Sequence, residues 1–283
     1  NKQAAINIHM DHQSTLGTLL LFIIGLTTYK GLMDYSYLEK YIFRVDDILI
    51  KKQYYRLWSS GFLHSGWLHF GFNMIALIGF SLSLEMEMGW FKFIVIYAAS
   101  VVGGNLFALW VHKNHGDYSA LGASGAISGI VLSSIVLYPA GKISLILIPI
   151  AFPSWLFAIL FVVISIIGIK AKIGNIGHEA HLGGALVGVF VTLLLKPSII
   201  IPNWWIILLV TVPTILFLVL IIKRPEVMLI DNYWGLRAED IKKPFQKNEE
   251  SEITLDFLLD KIRKKGMGSL TKKERDILDG FGK

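Results

Sequence analysis

Gly122-Ala123-Ser124-Gly125-Ala126-Ile127-Ser128-Gly129 puts a hydroxyl group inside a membrane-length apolar stretch, and Ala180-His181-Leu182-Gly183-Gly184 puts an imidazole inside another, roughly two helices later. Polar side chains at membrane depth are costly, so they face a bundle interior or a wet cavity and are functional candidates. The two stretches imply a chain that threads the membrane repeatedly and holds a potential nucleophile and a potential base where water is scarce. Working outward from them, apolar windows fall near 15–34, 67–84, 91–112, 122–139, 143–168, 178–196 and 203–222. Each meets or approaches the ~20 residues a bilayer needs, which predicts seven helices.

Composition agrees. Of the 283 residues, 54% are hydrophobic, the mean hydropathy is +0.57, and the apolar residues are clustered into runs, which excludes an ordinary soluble domain. The net charge of +6 would suit nucleic acid, but the basic residues lie in loops and a tail beside apolar spans. Lipid headgroups are the nearer partner there, so the expectation is a lipid bilayer and no nucleic acid. With no cysteine, thiol catalysis, disulfides and cysteine-ligated metal are excluded. The first apolar run is followed by Lys30 and lacks a small-residue cleavage site, so it reads as a retained span.

The expected organisation is a polar segment at 1–14, a six-helix core at 15–196, a further transmembrane helix at 197–222 and a charged tail at 223–283. The loop Tyr35 to Gly66 mixes aromatics with charges and is expected to lie in the membrane interface. In the tail, Thr254 is a candidate N-cap for an amphipathic run over 255–264, and Thr271 followed by Glu274 gives a capping-box signal. A small helical hairpin is the expectation.

His69 and Asn73 are four residues apart on the second predicted helix, so they share a face and both can donate hydrogen bonds. Acyl transfer needs such donors aimed at a developing oxyanion. A serine hydroxyl needs an imidazole to accept its proton, and His181 is the candidate base for Ser124. Gly125 with Gly129, and Gly184 with Gly188, form small-xxx-small pairs that let two helices touch in lipid. Glycine pairs of this kind also occur as mere packing surfaces, and a lone membrane serine often bonds its own backbone.

These residues resemble the rhomboid family of intramembrane serine proteases, through the His64-xxxx-His69-xxx-Asn73 pattern, the Gly122-Ala123-Ser124-Gly125-Ala126 run and the Ala180-His181-Leu182-Gly183-Gly184 run. The resemblance covers about residues 15 to 196. It implies an all-α polytopic membrane protein with a six-helix rhomboid-like core plus a seventh C-terminal helix. It also implies a catalytic dyad of Ser124 and His181 without a third carboxylate member, and an oxyanion site made by His69, Asn73 and the Ser124 backbone N–H. Arg56, Glu85 and Gly89 resemble loop-anchoring positions of the family, and together with His64 from the motif and the contact glycines Gly125 and Gly184 they are expected to give structural support. No cofactor is required. Substrates are implied to be transmembrane proteins, cut after a small residue, with lateral access between helices two and five and a lid after helix five. A bacterial inner membrane is the expected location. Two positions depart from the family pattern: Tyr55 stands where tryptophan is usual, and Ser128 stands where an aromatic commonly packs on the catalytic imidazole.

Rival readings remain. His178-Glu179-Ala180-His181 superficially suggests a zinc helix of an intramembrane metalloprotease, with Asp279 as a further ligand, but zincins space their histidines i and i+4 rather than i and i+3. An aspartyl protease would need aspartates in the helix cores, and none falls there. A catalytically inactive rhomboid-like protein that binds membrane clients is the non-enzymatic alternative. His9, His12, His112 and His115 read as solvated interface residues, and His178 and Glu179 as loop or cap residues.

Overall fold

A computed structural model of the chain describes residues 14–145, 148–171 and 177–223, together with residues 258, 261–263, 267–271, 274, 277 and 278 of the tail. The chain divides into a unit spanning Asn1–Trp234 and a second spanning Gly235–Lys283. The protein is an all-α polytopic membrane protein. Four described helices are long and apolar enough to cross a bilayer, and two shorter apolar helices lie among them.

Helix α1 (Thr15–Met33) starts at Ser14, whose side chain accepts from the Gly17 N–H. The following loop is not extended, as an interface loop need not be. It holds α2 (Tyr35–Tyr41), strand β1 (Phe43–Arg44), α3 (Val45–Leu49) and α4 (Arg56–Ser59), with a 3-10 turn over Ser60–Phe62. Phe43, Val45 and Ile48 are fully buried in it, whereas Tyr35, Tyr54, Tyr55 and Trp58 are exposed, as interfacial aromatics would be. Helix α5 (Trp67–His112) is a single run of 46 residues broken at Gly89, where φ is +75° and ψ 163°. Only glycine adopts that conformation freely. The arms 67–88 and 90–112 are each about 33 Å long, which matches the hydrocarbon core of a bilayer.

Strand β2 (Ser119–Ala120) pairs antiparallel with β1 and leads into α6 (Ser124–Leu137). Every residue of α6 from Gly125 to Leu137 is buried. The fifth predicted window, 143–168, is not one helix. Strands β3 (Lys142–Leu145) and β4 (Ile148–Pro153) form an antiparallel hairpin, and only then does α7 (Ser154–Ala171) begin. Pro149 and Pro153 lack the N–H groups a helix needs, and Ile150 and Phe152 between them are residue types that favour strand. Ser154 marks the restart: its Oγ donates to the carbonyls of Tyr138 and Pro139, both at 2.8 Å. Helix α8 (His178–Leu195) and α9 (Ile200–Lys223) complete the unit.

The α6–α8 interface is set by glycine. A Cβ on Gly184 would overlap the Gly125 carbonyl oxygen, and one on Gly188 would lie 2.5 Å from the Gly129 Cα. The second arm of α5 joins them, since a Cβ on Gly104 would lie 2.5 Å from the Ala180 carbonyl oxygen. Without a hydrophobic force between helices in lipid, such backbone contact supplies the van der Waals attraction. The predicted small-xxx-small pairs are therefore the seam of the bundle.

In the second unit the predicted capping box is present. The Thr271 N–H donates to Glu274 Oε2 at 2.7 Å, and the Glu274 N–H donates to Thr271 Oγ1 at 3.3 Å. Lys261 Nζ reaches Glu274 Oε1 at 2.6 Å, and Leu258 and Leu270 are buried. Thr254 and most of the predicted run 255–264 lie outside the described residues.

Candidate active site

The site is positioned by the loop after α1. Arg56 is 5% exposed and is its hub: Nη1 donates to the carbonyls of Glu39 and Ile42 at 2.8 and 2.6 Å, Nε to Gln53 Oε1 at 2.7 Å, and Nη2 pairs with Asp47 at 2.9 Å. Burial works against ionisation of Asp47, but the Lys51 hydrogen bond and the charges of Arg56, Lys51 and Arg44 outweigh it and hold the carboxyl below the usual carboxylate range. The loop ordered in this way grips the segment that precedes α6. The Val45 and Asp46 N–H groups donate to the Tyr118 and Gly116 carbonyls at 3.2 and 3.0 Å, and the Gly122 N–H donates to the Ser60 carbonyl at 3.0 Å.

Gly122 then turns the chain with φ +137°, and a Cβ there would lie 3.0 Å from His69 Cε1 and 3.5 Å from Ser124 Oγ. Space and backbone both require glycine at this point. His64, fully buried, supports the same turn: Nδ1 lies 3.0 Å from Thr28 Oγ1, and Nε2 accepts from the Ala123 N–H at 3.5 Å. Burial, with the neighbouring His69 imidazole adding to it, pushes the His64 pKa down to about 3. The ring is therefore neutral and able to accept.

Ser124 is the first residue of α6, and its Oγ lies 2.6 Å from His181 Nε2. The first-turn N–H groups of a helix have no intrahelical partner, so the Ser124 N–H is open to an anionic ligand. His69 borders the same spot through Gly122, with Nδ1 held 3.2 Å from Ser65 Oγ. Asn73 is 7% exposed and donates from Nδ2 to the His69 carbonyl at 2.9 Å, which leaves one of its two N–H bonds uncommitted. Ser128 Oγ donates to the Ser124 carbonyl at 2.6 Å, so the hydroxyl that replaces the usual aromatic serves its own helix.

The predicted structural residues separate by location. His64 supports the turn before Ser124, Arg56 ties together the loop after α1, and Gly125 and Gly184 are the contact between α6 and α8. Glu85 belongs elsewhere: it bonds Ser14 Oγ and accepts from the Leu16 N–H at 3.1 Å, thereby capping α1. Gln53, Asp47, Thr28 and Gly122 were not assigned roles from sequence. Gly122 alone carried a visible signal, two residues before the serine.

His112 departs from the solvated reading. It is 7% exposed and stacks on Tyr118 with ring centroids 3.6 Å apart and planes 8° from parallel. The chain folds back under α5 at this point because β2 must pair with β1. His178 and Glu179 lie in the first turn of α8 rather than in a loop, and His178 is 8% exposed. His181 faces Ser124 on α6 while a Cβ on Gly168 of α7 would overlap the His178 ring, so the two imidazoles of the metal rival engage different helices. Its third proposed ligand, Asp279, lies outside the described residues.

Comparison with known proteins completes the picture. The rhomboid domain family matches residues 51–198. The chain belongs to the rhomboid family. Among relatives of this rhomboid, Rhomboid protein 1, mitochondrial, from Saccharomyces cerevisiae is 32% identical over 158 residues, covering 55% of this chain and 45% of the relative. RHOMBOID-like protein 5 of Arabidopsis thaliana is 31% identical over 157 residues, covering 51% and 45%. Rhomboid protease AarA of Providencia stuartii is 28% identical over 156 residues, covering 47% and 53%. The rhomboid spans about half the length of these relatives. Some bear names of proteases and others of mitochondrial rhomboid-like proteins, so the family is one of intramembrane proteases. Residues 245–283 match a second family, described only as of unknown function.

Proposed function

We propose that the protein is an intramembrane serine endopeptidase that hydrolyses peptide bonds in or near transmembrane segments of other proteins. The observation that carries this reading is the 2.6 Å contact between Ser124 Oγ and His181 Nε2. His181 accepts the hydroxyl proton as Ser124 attacks the scissile carbonyl. The oxyanion is met by the Ser124 N–H, by His69 and by the uncommitted N–H of Asn73, and the positive pole of α6 points at it. His181 then gives its proton to the departing amine, leaving an acyl-enzyme. A water molecule, deprotonated by the same imidazole, attacks the ester and restores the serine. These steps need no cofactor.

Helix α6 is 14 residues, about 21 Å, against a hydrocarbon core of about 30 Å. With its C-terminal end near one surface, Ser124 lies below the other, where water arrives only through a polar cavity. A client helix must unwind locally before its carbonyl can be attacked, because its backbone is otherwise internally hydrogen-bonded. We read the two arms of α5 with α1, α6, α7 and α8 as a six-helix core over 15–196, with α9 as the seventh span over 197–222, a polar segment at 1–14 and an accessory tail at 223–283. The expected location is a bacterial inner membrane, and the mitochondrial names of the yeast and rat relatives weigh against it.

The test is reconstitution with single-span clients. Wild-type protein cleaves, and Ser124→Ala loses at least about a thousandfold in rate. Cleavage that survives the change overturns the serine reading. Intact protein that retains clients without cutting them points instead to a client-binding relative.

A further inference from the structure

The first turn of α8 holds a carboxylate that the dyad does not touch. Glu179 lies two residues before His181, with its side chain 13% exposed, and its Oε1 is 3.4 Å from His112 Nε2. His112 is itself clamped flat on Tyr118, whose backbone carbonyl is held by Val45. The carboxylate thus lies within ion-pair distance of a platform built from the end of α5 and the loop after it. It faces α5, whereas His181 faces α6.

His181 is the fourth residue of α8. The positive pole of a helix N-terminus disfavours an imidazolium, yet an imidazolium is what a general base at this position must become. The ionisable groups that act on it among the described residues are His69 from the first arm of α5, and His178 and Glu179 from α8, with His112 behind Glu179. Glu179 is the one carboxylate in that set. Ser128 on α6 offers no aromatic wall to orient the ring.

We propose that Glu179, set beside His112, is a positioning residue for the base: its carboxylate offsets the positive pole of α8 and stabilises the imidazolium that forms when His181 takes the Ser124 proton. It does by proximity what a directly bonded acid does in a three-membered serine site. The proposal rests on the serine reading above, and both can be tested in one experiment.

The full chain in detergent is labelled with a fluorophosphonate from about pH 5 to about pH 9, and client cleavage is followed in parallel. Glu179→Gln slows labelling at neutral pH by about fivefold, lowers kcat with little change in KM, and moves the acid limb of the profile to lower pH, because the base has lost a favourable charge. Glu179→Asp keeps the limb near its wild-type position. His112→Phe preserves the stack on Tyr118 but not the contact with Glu179, and it moves the limb in the same direction by less. A limb that stays fixed in Glu179→Gln overturns the proposal, as does one fixed in His112→Phe should the glutamine variant not fold. Labelling and cleavage that persist in Ser124→Ala overturn the serine reading itself, and only that control does so.

Discussion

Helices α6 and α9 are both strongly apolar, and they occupy opposite environments. Every residue of α6 from Gly125 to Leu137 is buried, whereas α9 exposes Trp204, Trp205, Leu208, Ile215 and Leu216 and buries mainly Ile206, Val210 and Thr214. Hydropathy does not separate an inner helix from an outer one when the solvent is as apolar as the core. Small and hydroxyl-bearing residues do. Helix α6 carries Gly125, Ser128, Gly129, Ser133 and Ser134, through which backbones approach and side chains bond across helices. Helix α9 meets α6 through Asn203, whose Nδ2 donates to the Val136 carbonyl at 2.8 Å.

The sharpest way to break this contrast is Gly184→Ala. The added carbon would overlap the Gly125 carbonyl, which is backbone and cannot swing aside, so α6 and α8 must separate. Overpacking of this kind costs about 3 kcal/mol, and the expected result is a large fall in thermal stability in detergent together with loss of Ser124 labelling. Wild-type stability in this variant would mean that the seam is looser than described.

The approach to α6 gives a second, smaller effect. His64 is buried neutral, with its pKa pushed from an ordinary 6.5 to about 3, and its Nε2 accepts from Ala123 just before the serine. The unfolded chain therefore binds a proton that the fold resists. Stability is fully present above about pH 6.5 and is lost as pH falls toward about 3, with about 2 kcal/mol gone by about pH 5. Thermal unfolding at the two pH values measures this, and His64→Gln should flatten the dependence. No flattening would assign the acid sensitivity to other groups.

A hydroxyl pair inside the seam gives a third. Thr192 Oγ1 on α8 donates to Ser133 Oγ on α6 at 2.8 Å, and both residues are fully buried. Thr192→Val keeps the shape, removes the bond and strands Ser133, for an expected loss of about 1 kcal/mol. A double substitution with Ser133→Ala should recover part of that, because neither partner is then left unpaired. Additive losses would show that the two hydroxyls do not act as a pair.

Much of this architecture is legible in the amino-acid sequence. The spans announce themselves by length, the glycine pairs by spacing, and Ser124 and His181 by being polar where polarity is expensive. Three features were hidden for physical reasons. The apolar run over 143–153 has the composition of a span, and its prolines decide for a hairpin. Arg56 was visible as a match, but its partners Asp47 and Gln53 are set by a loop whose folding no periodicity encodes. His112 looks solvated from its polar neighbours, because burial there depends on β1 pairing with β2, Phe43 with Ala120 and Arg44 with Ser119, far apart along the chain. Local pattern reads helices well and reads long-range closure poorly.

The smallest predicted effect is the control that gives the comparison its force. Leu216 on α9 is 63% exposed and faces what would be lipid. Leu216→Ala exchanges protein–lipid contact for slightly less of the same, leaves no cavity and strands no polar group, so its cost should stay below about 0.5 kcal/mol. An equally apolar position on α6, Leu132, is fully buried, and its truncation should cost several times more because the surrounding helices relax only partly into the space. Measured side by side, the two truncations remove the same atoms from residues of the same hydropathy. If they cost the same, α9 is packed against protein on that face, and the division into an inner and an outer helix fails.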